Sequence, residues 1–232
     1  MSAPAPRSLF VLALPRSLSS LTYQVARGAL GLDEPVWTSD GEVLNSDRFV
    51  LHGGPGHDEG RKFTRPAWEE GAARRMWAFL DELVRPAGFA YKDVVQPFVA
   101  ARWLTAAERG LAVLRIRRPL VDVAASMLAR RWLYPARAPA RNPPEELVTA
   151  LLRGLLEAEA ALDAVPAVTV DYDDLVRDEA ALAGALRALA PGRALGPVRY
   201  VDVGFRRVAG ERLALRGEPW YRALEQRLAA LR

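Results

Sequence analysis

The stretch Leu14-Pro15-Arg16-Ser17-Leu18-Ser19-Ser20 sets a guanidinium and several hydroxyls between an apolar run and a helical pattern. A helix N-terminus presents unpaired N–H groups and the positive end of a dipole, so it binds phosphate well. Ser19 and Ser20 at the helix start add hydroxyl donors, and Arg16 adds a fixed positive charge. The plainer role for Ser19 or Ser20 is to cap the helix. The loop lacks the pattern G-x-x-x-x-G-K-[ST] and holds no glycine at all, which counts against ATP and GTP hydrolases and ordinary kinases.

A second stretch, Arg117-Arg118-Pro119-Leu120-Val121-Asp122-Val123-Ala124-Ala125-Ser126, also follows a strand pattern and opens a helix. Two arginines at the carboxyl end of a strand sit where open α/β sheets bind ligands. Ser126 lies eight residues beyond Arg118, a little over two helical turns. Read without the first stretch, it is as readily a solvated arginine pair and an ordinary helix serine.

In that order the two stretches resemble the nucleotide-binding motifs of sulfotransferases that use 3′-phosphoadenosine 5′-phosphosulfate (PAPS). Pro15-Arg16-Ser17 with Ser19-Ser20 resembles the family's 5′-phosphosulfate loop, P-[KR]-S-G-[ST]-[ST]. Arg118 and Ser126 match the arginine and serine of its 3′-phosphate segment. Val170-Asp171-Tyr172-Asp173-Asp174-Leu175 resembles the "Y-E-D-L" strand end, whose tyrosine lies by the adenine, and Lys92-Asp93 resembles a "K-D-P" or "K-T" element. The resemblance covers roughly residues 9 to 178. Three features depart from the pattern: Leu18 stands where glycine is usual, Val94 where proline is common, and Pro119 one residue early, so that Arg117 remains an alternative to Arg118. The C-terminal glycine-rich 3′-phosphate segment is only echoed, by Arg206-Arg207-Val208-Ala209-Gly210.

The resemblance implies PAPS as co-substrate and 3′-phosphoadenosine 5′-phosphate (PAP) as product, with no metal. It implies that Arg16, Ser17, Leu18, Ser19, Ser20, Arg118, Ser126 and Tyr172 hold the nucleotide. Sulfuryl transfer builds negative charge on the oxygen leaving with the 5′-phosphate, so cations there stabilise the transition state. Arg16 takes that role, and Lys92 supplies a second cation that can also carry a proton. The acceptor, a small molecule with a hydroxyl or amine, needs a general base within hydrogen-bond reach. Asp40, Glu42, Asp93, His52 and His57 are the candidates, and Asp93 or Glu42 is favoured; each is also an ordinary loop or turn residue.

The elements that must position these groups alternate. Leu9–Leu14 reads as a buried strand and Ser19–Leu30 as a helix closed by Gly31. Loops follow from Asp33 to Gly60 around a short strand, Phe49–Leu51, with a turn at His52–His57. Then come a helix over Pro66–Val84, a strand at Phe89–Tyr91 and a helix over Val94–Leu104 interrupted early by Pro97. A strand at Leu111–Ile116 leads to a helix over Val121–Arg131, and a proline- and arginine-rich loop from Arg130 to Pro144 is either a lid over the acceptor or a surface loop. Helices over Glu145–Asp163, Glu179–Leu189 and Pro219–Leu231 and a strand at Val168–Val170 complete the pattern, with Tyr200–Gly210 unassigned. Alternation of this kind predicts an α/β three-layer fold, a central parallel sheet flanked by helices, as one domain over residues 1–232.

Composition narrows the rest. There is no cysteine, and His52 and His57 are the only histidines, so thiolate and histidine-rich metal sites are not expected. A net charge of +4 suits any anionic partner. Of 32 basic residues only Lys62 and Lys92 are lysine, which singles out Lys92 slightly. Ser8–Leu14 is too short for a membrane span and has a weak charged flank for a secretion signal, so no membrane association is expected and the location expected is cytoplasmic. A nucleotide or small-molecule kinase, a nucleic-acid-binding module and a catalytically dead PAP-binding protein are the competing readings. No nucleic-acid partner is expected, because charge alone is weak ground for one.

Overall fold

The computed structural model describes residues 7–38, 40–44, 70–130, 145–202, 205 and 215–232. The expected strand Phe49–Leu51, the turn His52–His57, the loop between Arg130 and Pro144 beyond its first residue, and the segment Arg206–Gly210 lie outside them.

Five consecutive apolar residues, each buried on both sides, make β1 (Leu9–Ala13) an inner strand of a parallel sheet. It pairs with β2 (Ala90–Asp93) on one side and with β3 (Ala112–Arg117) on the other. Next to β3 lies β4 (Val168–Asp171), so the order is β2-β1-β3-β4 and every pairing is parallel. Asp33 and the residues Gly41, Glu42 and Val43 lie along the outer edge of β2. The Ala90 N–H donates to the Asp33 carbonyl at 2.9 Å, the Lys92 N–H to that of Gly41 at 2.8 Å, and the Val43 N–H to that of Lys92 at 3.0 Å.

Strand alternation divides the core in two. Leu9, Val11 and Ala13 face α1 (Ser19–Leu30), through Tyr23, Ala26 and Ala29, and α7 (Glu179–Leu189), through Leu182 and Leu186. Phe10, Leu12 and Leu14 face the larger layer. That layer holds α2 (Glu70–Leu83), α3 (Pro97–Ala106), α4 (Leu120–Leu128), α5 (Glu145–Asp163) and α8 (Pro219–Leu231). A short α6 (Tyr172–Arg177) follows β4 directly. The expected three-layer α/β arrangement is therefore what the chain adopts.

Some boundaries differ from the sequence reading, each for a local reason. The third helix starts at Pro97, not Val94: β2 runs on through Asp93, whose carboxylate accepts the Gln96 N–H at 2.7 Å, and proline suits the first helical position. So Pro97 opens that helix instead of interrupting it. The fourth helix stops at Leu128, short of the expected Arg131. The expected strand end around Tyr172 is instead the first residue of α6.

The chain leaves β1 for α1 in one layer and leaves the adjacent β3 for α4 in the other. Between two neighbouring parallel strands whose connections part in this way, a crevice opens at their carboxyl ends. The Arg16 loop and the Arg118 turn both lie at that point.

Candidate functional site

The loop from β1 to α1 turns through two left-handed residues, Arg16 at φ 63° and Leu18 at φ 62°. Changes of hand along a turn let successive backbone N–H groups converge on an anion. The first bond of α1 runs from the Thr22 N–H to the Leu18 carbonyl at 2.9 Å, so the amides just ahead of it have no intrahelical acceptor. The N-cap residue of this helix is Leu18, with no side-chain cap hydrogen bond, so the plainer role weighed for Ser19 or Ser20, as the cap, is not the one they take. Ser17 and Ser19 are buried, Ser20 is exposed, and the Ser17 hydroxyl donates to the Pro15 carbonyl at 3.4 Å. The loop and Val94 line a cavity of about 270 Å³.

Arg117 and Arg118 part company at the end of β3. Arg117 is exposed and bonds Asp171 with two nitrogens, at 2.7 and 3.0 Å, which draws the Asp171 carboxyl below the usual aspartate range. Arg118 turns inward and is 5% exposed. Its guanidinium donates to the Arg16 carbonyl and lies 4.2 Å from the centre of the Tyr172 ring. Arg16 in turn donates from Nε to the Ser126 hydroxyl at 3.2 Å. The two motifs, a hundred residues apart in sequence, are thus in direct contact twice. The Tyr172 hydroxyl is buried and has no hydrogen-bond partner among the described residues.

Lys92 and Asp93 close β2 and, by strand alternation, point to opposite layers. Lys92 is buried beside Val11 in register, with Nζ 2.6 Å from Glu42 and 3.7 Å from Asp40. The other Glu42 oxygen accepts the N–H of Val94 at 2.8 Å and of Val95 at 3.4 Å. Asp40, at φ 55°, accepts from Gln24 of α1 at 2.7 Å and is the exposed carboxylate of the group. Asp93 has no exposed surface, and its two oxygens accept the N–H groups of Gln96 and of Leu44, the latter at 3.2 Å. Burial, and then the neighbouring Glu42, hold its carboxyl well above the usual aspartate range. As described, then, Asp93 anchors the start of α3 and the turn at Leu44, while Glu42, Lys92 and Asp40 form one charged group on the α1 side.

One part of the site had no motif. Arg216, in a single 3₁₀ turn (Leu215–Gly217) ahead of α8, donates to both oxygens of Asp122 and, at 2.8 and 3.0 Å, to those of Asp173. The Tyr221 hydroxyl donates to Asp122 at 2.6 Å, and the Arg118 Nε lies 3.9 Å from the same carboxylate. The i,i+4 spacing of Arg118, just ahead of α4, and Asp122 in its first turn was a usable signal; nothing local in sequence pointed to Arg216.

A wider cavity of about 670 Å³ opens at the opposite end of the sheet, where Ala112 and Val168 begin their strands. Its arginines are committed to the scaffold. Arg7 bonds the carbonyls of Gly110 and Leu111 at 3.0 and 2.9 Å, and Arg109 pairs with Asp81. The smaller cavity at the carboxyl ends has the convergent donors. Among the described residues no cluster of acidic and histidine side chains is arranged to hold a metal ion, and no helix is long and apolar enough to cross a membrane.

No protein-family model matches the chain, and no curated protein matches it. Among solved structures, sulfotransferase STF1 from Mycobacterium tuberculosis H37Rv is 14% identical over 98% of this chain and 77% of its own, with a TM-score of 0.47. A sulfotransferase from Alicyclobacillus acidocaldarius is 15% identical over 99% of this chain and 96% of its own, with a TM-score of 0.41. Superpositions this loose leave the chain's own residues as the ground for a function.

Proposed function

We propose that the chain is a sulfotransferase that takes a sulfuryl group from PAPS and passes it to a hydroxyl or amine of a small-molecule acceptor. One observation carries this reading: Arg16 and Arg118, from two connections that diverge at neighbouring strand ends, meet at the carboxyl end of the sheet. That arrangement suits a ligand with two separated anionic groups, and a nucleotide with a 3′-phosphate and a 5′-phosphosulfate is one.

PAPS supplies a sulfur already bonded to a good leaving group, the 5′-phosphate. The residues do the rest by position and charge. The amides and hydroxyls from Ser17 to Ser20 hold the 5′ end, and Arg16 stabilises charge on the bridging oxygen as its bond to sulfur breaks. Arg118, supported on Tyr172, holds the 3′-phosphate, and Ser126 keeps Arg16 turned toward the loop. Glu42 takes the proton that the acceptor oxygen loses as it bonds to sulfur. Lys92, in contact with Glu42, adds positive charge near the transferring group. Asp40, exposed beside them, receives the acceptor.

The test is transfer from PAPS labelled in its sulfuryl group to a set of phenols, alcohols and amines, followed by mass detection of the product. Sulfated product together with PAP is expected. Transfer from ATP but not from PAPS would reject the proposal in favour of a kinase.

A further inference from the structure

Leucine seldom occupies the left-handed conformation that Leu18 adopts, because its Cβ crowds the backbone there; glycine does so freely. The Leu18 side chain has a use that glycine could not serve. It is half-buried and packs against Tyr172 and Val176, a pair on which Phe205 also packs. The Tyr172 ring carries the Arg118 guanidinium, and Arg118 donates to the Arg16 carbonyl. Both left-handed residues of the loop are therefore held by one assembly. Arg118 grips the loop at Arg16, and the Tyr172–Val176 pair grips it at Leu18. Side chains locked by their neighbours keep a binding loop in its productive shape before the ligand arrives.

We propose that Leu18 is a positioning residue. Braced on Tyr172 and Val176, it fixes the direction of the loop amides, so recognition of the 5′ anion depends on it and recognition of the 3′-phosphate does not. This rests on the nucleotide reading given above.

Calorimetric titration with 5′-AMP, 3′-AMP and PAP separates the two ends of the site. Leu18→Gly relieves the backbone and removes the brace, Leu18→Ala removes the brace alone, and Leu18→Met keeps a side chain of similar reach. Relative to wild type, Leu18→Gly and Leu18→Ala should each weaken 5′-AMP by about tenfold and 3′-AMP by less than about twofold. Leu18→Met should return 5′-AMP to within about threefold of wild type. Val176→Ala, which removes the other half of the contact, should reproduce the selective loss of 5′-AMP even if a Leu18 variant fails to fold. Unchanged 5′-AMP binding in Leu18→Gly and Val176→Ala, or equal losses for 5′-AMP and 3′-AMP, would overturn the bracing role alone. A wild-type chain that binds none of the three nucleotides overturns the nucleotide reading, and the bracing role with it.

Discussion

Replacing Arg118 with alanine should weaken PAP binding by about ten- to a hundredfold, the equivalent of losing one charge-assisted contact of roughly 1.5–3 kcal/mol. The adjacent Arg117 is the internal control. It is exposed and paired with Asp171, an arrangement worth about 0–1 kcal/mol, so Arg117→Ala should leave PAP affinity within about twofold. The two changes should differ in stability as well. Arg118 is buried, stacked 4.2 Å from the Tyr172 ring and bonded to a carbonyl. A desolvated cation–π contact contributes about 2 kcal/mol and a hydrogen bond from a charged group about 1.5–3, offset in part by the cost of burying the charge. Arg118→Ala should therefore lose about 2–4 kcal/mol, and its affinity must be read well below its melting temperature. Arg118→Lys keeps the charge without the planar fork and should fall between wild type and alanine. The assay is titration calorimetry at one fixed ionic strength, since surface charges are screened by salt. If Arg117→Ala loses more PAP affinity than Arg118→Ala, the inward arginine is not the phosphate ligand and the reasoning from burial is wrong.

Three further outcomes follow from the same geometry. Lys92→Met should cut kcat by at least about tenfold, and it should also cost about 3–5 kcal/mol by leaving Glu42 buried without its cation; the double change with Glu42→Gln should recover much of the stability but not the activity. Asp93→Asn tests the raised carboxyl pKa. A carboxyl that ionises later in the folded chain than in the unfolded one makes the fold less stable as pH rises out of the ordinary aspartate range. Melting curves at pH 5 and pH 8 should thus show wild type gaining on Asp93→Asn at the lower pH, and a gap that does not move would contradict it. Gly41→Ala should destabilise by more than about 1 kcal/mol in denaturant titration. The residue has φ 73°, an added methyl would collide with the Tyr23 ring, and the Gly41 carbonyl holds the Lys92 N–H.

The strands that carry the site were legible because they are buried on both faces. Leu9–Leu14 reads as a continuous apolar run, Leu111–Ile116 as one broken only by Arg115, and Gly31 marked the end of the first helix. The end of β2 was harder. Its last two residues are Lys92 and Asp93, whose charges look like a loop until Glu42 and two backbone N–H groups are seen to satisfy them. The helix Tyr172–Arg177 is a single short piece rich in acid, with too few residues to show a period. The motif residues themselves were visible, but not their mutual contacts. Ser126, expected on a phosphate, also bonds Arg16, and Tyr172, expected by the adenine, also carries Arg118. Arg216 pairs with Asp122 across ninety-four positions and with Asp173 across forty-three, and sequence spacing says nothing about such long-range pairs. The glycine that the resemblance leads one to expect at position 18 is replaced by a leucine, which takes a left-handed conformation and makes a packing contact.

The most direct test of the central claim, that one nucleotide spans the Arg16 loop and the Arg118 turn, is a crystal structure with PAP bound. The 5′-phosphate should lie within hydrogen-bond distance of the amides between Ser17 and Ser20 and of Arg16, and the 3′-phosphate within reach of the Arg118 guanidinium. A nucleotide found instead in the cavity at the amino ends of β3 and β4, or one whose 3′-phosphate contacts Arg117, would contradict the account.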